Sequence, residues 1–569
     1  MKNKNEKLDN LRHSAAHLLA QAVLELFPGT KMTIGPTTEN GFFYDFLPPR
    51  NFTEEDLPEI EKKMHEISAK DYKIEGKLVS KNEAHEFFKD NEFKQELING
   101  IQDEKVGIYC QGNFCDLCRG GHVESTGHIK HFKLTAVAGA YWRANRENAA
   151  LQRIYGIAFE TAKDLRTYLK QIEDAQKYDH RKLGKQLDLF SFHPEAPGTP
   201  FFHDKGLKLY NKLIDYMRFM LKRDYQEIKT PMILNESLWH TSGHYENYKN
   251  NMYFTSVDDV NYCVKPMNCP AGILAYKEKP HSYKEFPLRV AEYGHVYRYE
   301  LSGVLHGLFR VRSFTQDDAH VYCTPDQMIS EVEKMLHLAT DVYNKFEFKD
   351  IKMAISTKPE KHIGSDELWE QATDALKKGL ENKGFEYVVQ EGEGAFYGPK
   401  IEIVLKDMMG REWQCGTIQA DFFMPKNFEM EYIKSDQTKE TPVMLHRAIY
   451  GSIERFLGIL VEHYKGRFPF WLAPVQVRVL TITDDVRDYA TTVFEKFFDV
   501  DVRVELDKSG DQLSAQVRNA QMQQIPWMVV IGKKEQENGT VTLRHLDGKQ
   551  EFGLTVEELI KRAEELNKF

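Results

Sequence analysis

The chain has 569 residues, 41% of them hydrophobic and 28% charged, with a formal net charge of −10. That length exceeds what one hydrophobic core serves and implies about three or four domains. The ordinary composition excludes a disordered or fibrous chain, and the acidic balance excludes a uniformly basic nucleic-acid binder, so any nucleic-acid contact must come from local basic patches. No apolar run approaches the roughly 18 residues needed to span a bilayer. The polar start, MKNKNEKLDN, has no apolar signal core. Seven cysteines are too few for a disulfide scaffold, and an odd count fits a reducing compartment. A cytoplasmic protein without a membrane partner is expected.

Residues 1–160 open with a helix. Asp9 or Asn10 can cap it, and Pro28-Gly29 stops it near Phe27. Leu11, Ala15, Leu18 or Leu19, Ala22 and Leu26 make its apolar stripe. His13 and His17 are one turn apart and share a face. Far downstream, NFCDLCRGGH gathers Cys115, Asp116, Cys118 and His122. The spacing suits a metal, either as Cys115, Cys118 and His122 or as His13 and His17 with Cys118 and His122. HSAAH followed by DLCRGGH, with GFFYDF at Gly41–Phe46, resembles the editing domain of the threonyl-tRNA synthetases, which is related to alanyl-tRNA editing domains. The resemblance implies an α+β domain whose His13, His17, Asp116, Cys118 and His122 line a hydrolytic pocket. Such a pocket works through an activated water and no metal is assigned to it; Cys115 completes an apparent CxxC by chance. Because the HxxxH begins at residue 13, the small ubiquitin-like domain that many relatives carry ahead of it is expected to be absent.

Residues 161–185 are charged and helix-forming, with a thin seam at Leu165, Leu169 and Ile172, and read as a helical linker. The central region, 186–472, begins with a proline-bearing loop between Phe192 and Phe202. Leu207, Tyr210, Ile214, Met217 and Leu221 then recur at helical spacing. YQEIKTPMI, Tyr225–Ile233, reads as a strand whose Pro231 confines it to an edge or an interface. The densest chemistry lies in Arg289–Cys323, which reads as a hairpin: a strand Val290–Glu300, a loop with Ser302, Gly303 and Gly307, and a strand Phe309–Phe314. Alternation places Arg310 and Arg312 on one face of that second strand. A guanidinium presents a fixed fork of donors, so arginines on a rigid hairpin suit phosphate. PVMLHRAIYGSIERFLGIL, Pro442–Leu460, reads as a strand, a glycine–serine junction and an amphipathic helix, with Arg455 near the positive end of the helix dipole. EGEGAFYG is one residue too long for a dinucleotide fingerprint.

The long helix with its proline-bearing strand, the pair VYRYE and FRVRSF, and PVMLHRAIYGSIERFLGIL resemble motifs 1, 2 and 3 of the class II aminoacyl-tRNA synthetases, motif 1 being the dimer interface of that class. The resemblance implies an α+β multidomain homodimer with an antiparallel-sheet catalytic core. It gives Arg298, Arg310 and Arg455 the catalytic work of holding ATP phosphates, Arg298 at the α-phosphate. Glu300 and Phe314 would position the adenine, and Mg²⁺ accompanies the ATP. An amino-acid carboxylate attacks the α-phosphorus and pyrophosphate leaves, so positioning and charge neutralisation do most of the work. Cys269 in VKPMNCP, His320 in TQDDAH and His446 in VMLHRA match the zinc ligands of the threonyl-tRNA synthetases, and three protein ligands leave zinc an open position for substrate. Zinc bound by both the amino group and the hydroxyl of threonine excludes valine, a near isostere that an apolar pocket rejects only weakly. By the same resemblance Asp318 accepts the hydroxyl proton, Gln316 and Tyr397 help hold the threonine, and Gln414 and Gln419 of WQCGTIQADF lie near it. Serine lacks only a methyl, worth about 1–3 kcal/mol. A second site that hydrolyses seryl-tRNA is therefore expected, and the N-terminal region supplies it.

Residues 474–569 alternate: VQVRVLTIT, a helix Asp485–Phe498, VDVRVEL, a helix Leu513–Gln523, IPWMVVIG, TVTLRHL, a turn at Asp547-Gly548 and a last helix Thr555–Leu566. This α/β pattern resembles the anticodon-binding domain of class IIa synthetases. Arg518, Glu535 and Arg544 match positions that contact anticodon bases, which are read through base edges and stacking. From His13 onward the chain is similar to bacterial-type threonyl-tRNA synthetases. The implied reaction joins L-threonine to tRNA(Thr), with ATP giving AMP and pyrophosphate. Two rivals remain: a synthetase for proline or serine, against which stands the set Cys269, His320 and His446, and a non-catalytic relative, against which stand Arg298, Arg310 and Arg455.

Overall fold

The structure is a computed structural model that describes residues 2–38, 40–145 and 147–569. The chain forms two compact units, Met1–Glu173 and Asp174–Phe569.

The first unit is built on the helix Lys2–Leu26. Its start lies well before Asp9, because nothing in the charged run ahead of that residue breaks a helix. Leu11, Ala15, Leu18, Leu19 and Ala22 are buried against a five-stranded antiparallel sheet and the helix Leu57–Ala69. A separate three-stranded sheet joins Ile74–Ser80, Lys105–Gln111 and Phe114–Leu117. Register places Cys110 directly opposite Cys115, and the two form a disulfide, Cα atoms 4.0 Å apart. A disulfide was not expected from so few cysteines. Pairing across a tight hairpin is set by strand register, which cysteine counting does not see.

The second unit is organised by an eight-stranded sheet. Its order is Gln226–Glu227, Leu288–Tyr297, Ser313–Cys323, Val443–Ala448, Glu412–Asp421, Lys400–Lys406, Ile351–Ser356, Tyr387–Gln390. Neighbours are antiparallel except at the two edges. Such a sheet can bury one face and leave the other for solvent or ligand. Here the helices Asp204–Leu221, Met328–Lys345, Asp366–Asn382 and Ile453–His463 share one core with Ala319, Val321, Leu445, Ile418 and Ile403 from the sheet. Alternation then turns Gln316, Asp318 and His320 to the opposite face.

Several sequence expectations shift. The hairpin strands are Leu288–Tyr297 and Ser313–Cys323, so Phe309–Arg312 lie in the loop and TQDDAH lies within the strand. Arg310 is exposed and Arg312 buried, so the two do not share a strand face. The Arg312 N–H goes to Gly198 O at 2.7 Å and its Nε to Glu300 O at 2.8 Å, which ties it down outside the ladder. The expected strand Tyr225–Ile233 divides: Gln226–Glu227 joins the large sheet, while Ile233–Asn235 pairs with Val260–Val264 in another. Pro231 has no N–H for a ladder, and the Thr230 N–H leaves it for Glu292. The linker holds two helices, Ala162–Lys177 and His180–Gln186. The helix Asp204–Leu221 buries Gly206, Leu209, Leu213, Tyr216, Met217 and Leu221, a stripe rotated from the expected one, and leaves Leu207 46% exposed.

The last region carries a five-stranded sheet, Val504–Leu506, Val477–Thr481, Trp527–Ile531, Val541–His545 and Gln550–Leu554. The first three strands are parallel and the last two antiparallel additions. The helices Arg487–Phe498 and Val556–Leu566 share one core with it and Leu513–Met522 another.

At Gly206 a Cβ would lie 1.9 Å from the backbone oxygen of Leu189. Neither backbone can yield cheaply. Gly206→Ala is therefore expected to cost about 1–3 kcal/mol and to lower the first thermal unfolding transition; an unchanged melt would disprove the tight contact.

Candidate functional site

The site is built on the free face of the strand Ser313–Cys323. His320 pairs in register with His446 of Val443–Ala448, their rings 4.9 Å apart and nearly perpendicular. Cys269 opens the helix Cys269–Tyr276, and one ligand atom from each of the three residues lies within 4.8 Å of the others. His446 Nε2 bonds Asp421 Oδ2 at 3.0 Å, and Asp421 Oδ1 accepts the N–H groups of Phe423 and Met424. Nδ1 is thereby left for a cation, the arrangement in which a carboxylate orients a metal-binding imidazole. His320 Nε2 is buried without a hydrogen-bond partner, and Asp318 Oδ1 stays 3.8 Å away. A buried polar atom left unpaired is costly, and a cation at this point would satisfy it. Burial lowers His320 to about 4, which keeps the ring neutral and able to ligate. Burial acts the same way on His446, but Asp421 and Cys269 outweigh it and raise that ring to about 10; a cation would take the place of the proton held there. One thiol with two imidazoles suits zinc chemistry, so the donor set fits the metal.

Asn268 is buried beside this cluster and donates Nδ2 to Asp318 Oδ2 at 3.1 Å. It lies over Gly294, where a Cβ would come within 2.1 Å of its Oδ1. Gln419 pairs with His446 and donates to Gly398 O at 3.1 Å, and the Tyr397 ring is 5.7 Å from that of His446. Gln414 is not brought to the cluster: it is exposed and pairs with Val404. Five residues of strand separate it from Gln419, roughly 17 Å.

At the other end of the strand, Arg298 donates Nε to Pro266 O at 3.1 Å and sets its guanidinium 5.0 Å over the ring of Phe314. Arg310 donates Nε to Glu300 at 2.9 Å. Ser452 caps the helix Ile453–His463 by accepting the Arg455 N–H at 3.1 Å and bridges to Gln316, while Arg455 Nε is buried without a hydrogen-bond partner. These arginines border the Phe314–Gln316 end of the strand. The sequence reading missed Glu454, which accepts the Thr315 N–H at 2.9 Å and which burial raises to about 7. Its place beside Arg455 was visible, but nothing marked it as turned inward.

In the first unit His13, His17, Cys118 and His122 also offer ligand atoms within 4.8 Å of one another. Cys118 Sγ is 3.5 Å from His13 Nε2 and 3.2 Å from His122 Nε2. Cys115 is not part of this group; its sulfur is bonded to that of Cys110. Asp116 Oδ2 is 3.6 Å from His17 Nε2 and accepts the Tyr44 hydroxyl at 2.5 Å, and Asp116 pairs with Lys94. Lys94 and Tyr44 were not foreseen. Tyr44 stood inside GFFYDF, whereas the helix Glu92–Gly100 carries no local sign that Lys94 points inward. Burial lowers His17 to about 4 against the pull of Asp116, and lowers His13 and His122 as well. It pushes the Cys118 thiol up to about 11. At neutral pH this is a set of uncharged imidazoles and a thiol beside one carboxylate already matched by Lys94. His13, His17, Asp116 and Cys118 line a cleft of about 1040 Å³ with Lys77, Lys105 and Arg119.

Among the C-terminal residues, Arg518 is exposed on the helix Leu513–Met522, and Arg544 Nε is buried without a hydrogen-bond partner. Glu535 is engaged locally: it accepts from the Gly532 N–H at 3.0 Å and from the Thr542 hydroxyl at 2.9 Å.

Three family models match the chain: tRNA synthetase class II core domain (G, H, P, S and T) over 253–464, anticodon binding domain over 476–566, and threonyl and alanyl tRNA synthetase second additional domain over 106–155. An antiparallel sheet with this core and these appended regions defines a class II aminoacyl-tRNA synthetase. The chain is 51% identical to the threonine–tRNA ligase of Carboxydothermus hydrogenoformans, covering 99% of its own length and 90% of that relative. It is 53% identical to the threonine–tRNA ligase of Caldanaerobacter subterraneus subsp. tengcongensis, covering 94% and 83%. A crystal structure of the RNA binding domain of threonyl-tRNA synthetase from Cryptosporidium parvum matches with a TM-score of 0.67 and 41% identity, over 68% of this chain and 98% of that one. The chain belongs to the threonine–tRNA ligase family.

The cluster on the sheet face predicts its own occupancy. Protein loaded with Co²⁺ should show a thiolate-to-metal absorption band that Cys269→Ala removes, with the bound-metal content falling in parallel. A band that survives Cys269→Ala would disqualify the thiol as a ligand.

Proposed function

We propose that the chain activates L-threonine with ATP, transfers it to tRNA(Thr), and hydrolyses mischarged seryl-tRNA(Thr) in the cleft of its first unit. The observation that carries the reading is one strand face on which Phe314, Gln316, Asp318 and His320 follow one another, with His446 in register and Cys269 alongside. Nucleotide and amino acid meet along that line. Phe314 offers a stacking surface for adenine. Arg298 takes the α-phosphate, and Arg310, freed from Glu300, and Arg455 take the others, with Mg²⁺ sharing the charge. Cys269, His320 and His446 would hold zinc, which supplies an open position for the amino group and hydroxyl of threonine. Asp318, oriented by Asn268, accepts the hydroxyl proton, and Gln316, Tyr397 and Gln419 enclose the rest. The threonine carboxylate is then placed against the α-phosphorus, where little remains for the protein but alignment and charge neutralisation.

The first unit supplies the second sieve. Neutral His13, His17 and His122 can orient and deprotonate water beside the ester, and Lys94 with Tyr44 fixes Asp116 under His17. Arg518 and Arg544 are available to anticodon bases, while Glu535 must first leave its local bonds. We further propose a cytoplasmic homodimer joined through the helix Asp204–Leu221 and the segment around Pro231, where Leu207, Phe219, Met232 and Ile233 are exposed. Among the described residues no helix is long and apolar enough to cross a membrane.

Amino-acid-dependent ATP–pyrophosphate exchange tests the first site. Threonine should support it, valine should not, and serine should be weaker by roughly 10–200-fold; exchange with proline in place of threonine would overturn the assignment. His17→Ala should leave threonylation within about twofold while seryl-tRNA(Thr) accumulates; unchanged deacylation in that variant would remove the histidine from the hydrolytic site. The pH profile offers an independent check. The working imidazoles must be neutral, and burial lowers them, His17 to about 4. Deacylation should therefore persist below pH 6 and fail only as the pH approaches 4, whereas an acid limb at the ordinary histidine value would contradict the buried, neutral site.

A further inference from the structure

Among the described residues, one further cluster of acids and histidine lies outside both sites: half-buried Asp179 with buried His180 and Glu462, ligand atoms within 4.8 Å of one another. It is saturated rather than open to a cation. His180 is fully buried, its Nδ1 lies 2.6 Å from Glu462 Oε1, and its backbone N–H donates to the same oxygen at 2.8 Å. Glu462 Oε2 meets Arg411 at 2.5 Å. The remaining ring nitrogen, Nε2, accepts the backbone N–H of Leu308 at 3.0 Å. An amide can only donate, so the proton of the neutral ring sits on Nδ1 and faces Glu462.

Leu308 belongs to a tight turn in the loop between the hairpin strands. The Phe309 N–H donates to His306 O at 2.9 Å and the His306 N–H to Arg310 O at 3.1 Å. Gly307 in this turn has φ +50°, and a Cβ there would lie 2.1 Å from His180 Nε2. The Phe309 ring centroid is 4.0 Å from that of His180, and Phe309 also rests on Gly458 of the helix Ile453–His463, where a Cβ would come within 3.1 Å of it. The turn is thus gripped between the histidine and that helix, and Arg310 is its last residue.

We propose that His180, held by Glu462, is a positioning residue for the ATP loop: it fixes the Leu308 backbone and thereby aims Arg310 at the ATP phosphates. The inference rests on the reading of Arg310 as a phosphate ligand. It gives a segment first read as a plain linker a part in ATP binding.

Michaelis constants in ATP–pyrophosphate exchange by the full chain test it. His180→Asn keeps a donor toward Glu462 but loses the acceptor for Leu308; His180→Gln can bring an amide oxygen to Leu308. His180→Asn should raise KM for ATP about tenfold, the scale of one buried hydrogen bond left unmade, with KM for threonine unchanged, and His180→Gln should restore most of the loss. An unchanged KM for ATP in His180→Asn, or equal shifts in both variants, overturns the proposal, because a merely structural histidine would lower the active fraction without that split. Gly307→Ala reaches the same contact from the loop side and decides the matter if the His180 variants do not fold: a rise in KM for ATP alone supports the brace, and no rise counts against it. Arg310→Ala separates the two readings. If it leaves KM for ATP unchanged, the role of Arg310 fails; if it raises KM while His180→Asn does not, only the brace fails.

Discussion

The carboxylate of Asp317 holds the catalytic unit together at its most consequential point. It is buried on the helix side of its strand and accepts the N–H of Ile449 at 2.8 Å and of Gly451 at 2.9 Å, with Arg447 3.4 Å away. Burial raises its pKa to about 6, and Arg447 and the amides pull the other way. Those amides lie where the strand Val443–Ala448 becomes the helix Ile453–His463. His446 stands just before that corner and Arg455 just after it. Fixing the corner to Asp317 therefore fixes both against Asp318 and Gln316. The bond from the Thr315 N–H to Glu454 repeats the device two residues away. One face of the strand clamps and the other carries the proposed site.

The two candidate sites solve opposite electrostatic problems. The sheet face faces a polyanion and a charge-separating step, so it gathers arginines and a donor set for a cation. The cluster in the first unit keeps its imidazoles uncharged at neutral pH, because burial lowers them. The carboxylate beside them, Asp116, is matched by Lys94 and Tyr44. The basic residues Lys77, Lys105 and Arg119 line the same cleft, so its charge lies around the uncharged imidazole cluster rather than within it.

What the sequence disclosed follows from how far each interaction reaches along the chain. His13 and His17 on one helix turn, and the helix after Ser452, are local patterns and were legible. The grouping of Cys269, His320 and His446 was legible only by resemblance, since strand pairing joins segments that spacing cannot relate. Lys94 gave no signal because its inward turn depends on the helix Glu92–Gly100 packing over Asp116. Arg310 and Arg312 were misplaced because FRVRSF has the alternation of a strand, yet a tight turn at Gly307 and a bond to Gly198 O take those residues out of the ladder. Gln414 was placed near the threonine by resemblance, and five residues of strand set it roughly 17 Å from Gln419. The disulfide was hidden for the converse reason: its cysteines are close in sequence, but only the hairpin register shows that they face each other.

The division of labour along Ser313–Cys323 has a consequence for how this enzyme can vary. Shifting that strand by one residue would exchange its two faces, sending Asp317 to the ligands and Asp318 into the core. Every neighbouring register would then be wrong at once. A residue gained or lost within the strand is thus intolerable, whereas the loop 298–312 ahead of it can absorb length changes at its exposed tip near Leu301 and Val304 without disturbing the frame. Diversity among such enzymes should accumulate in that tip, and the strand should behave as a reading frame whose spacing is kept even where its residues change.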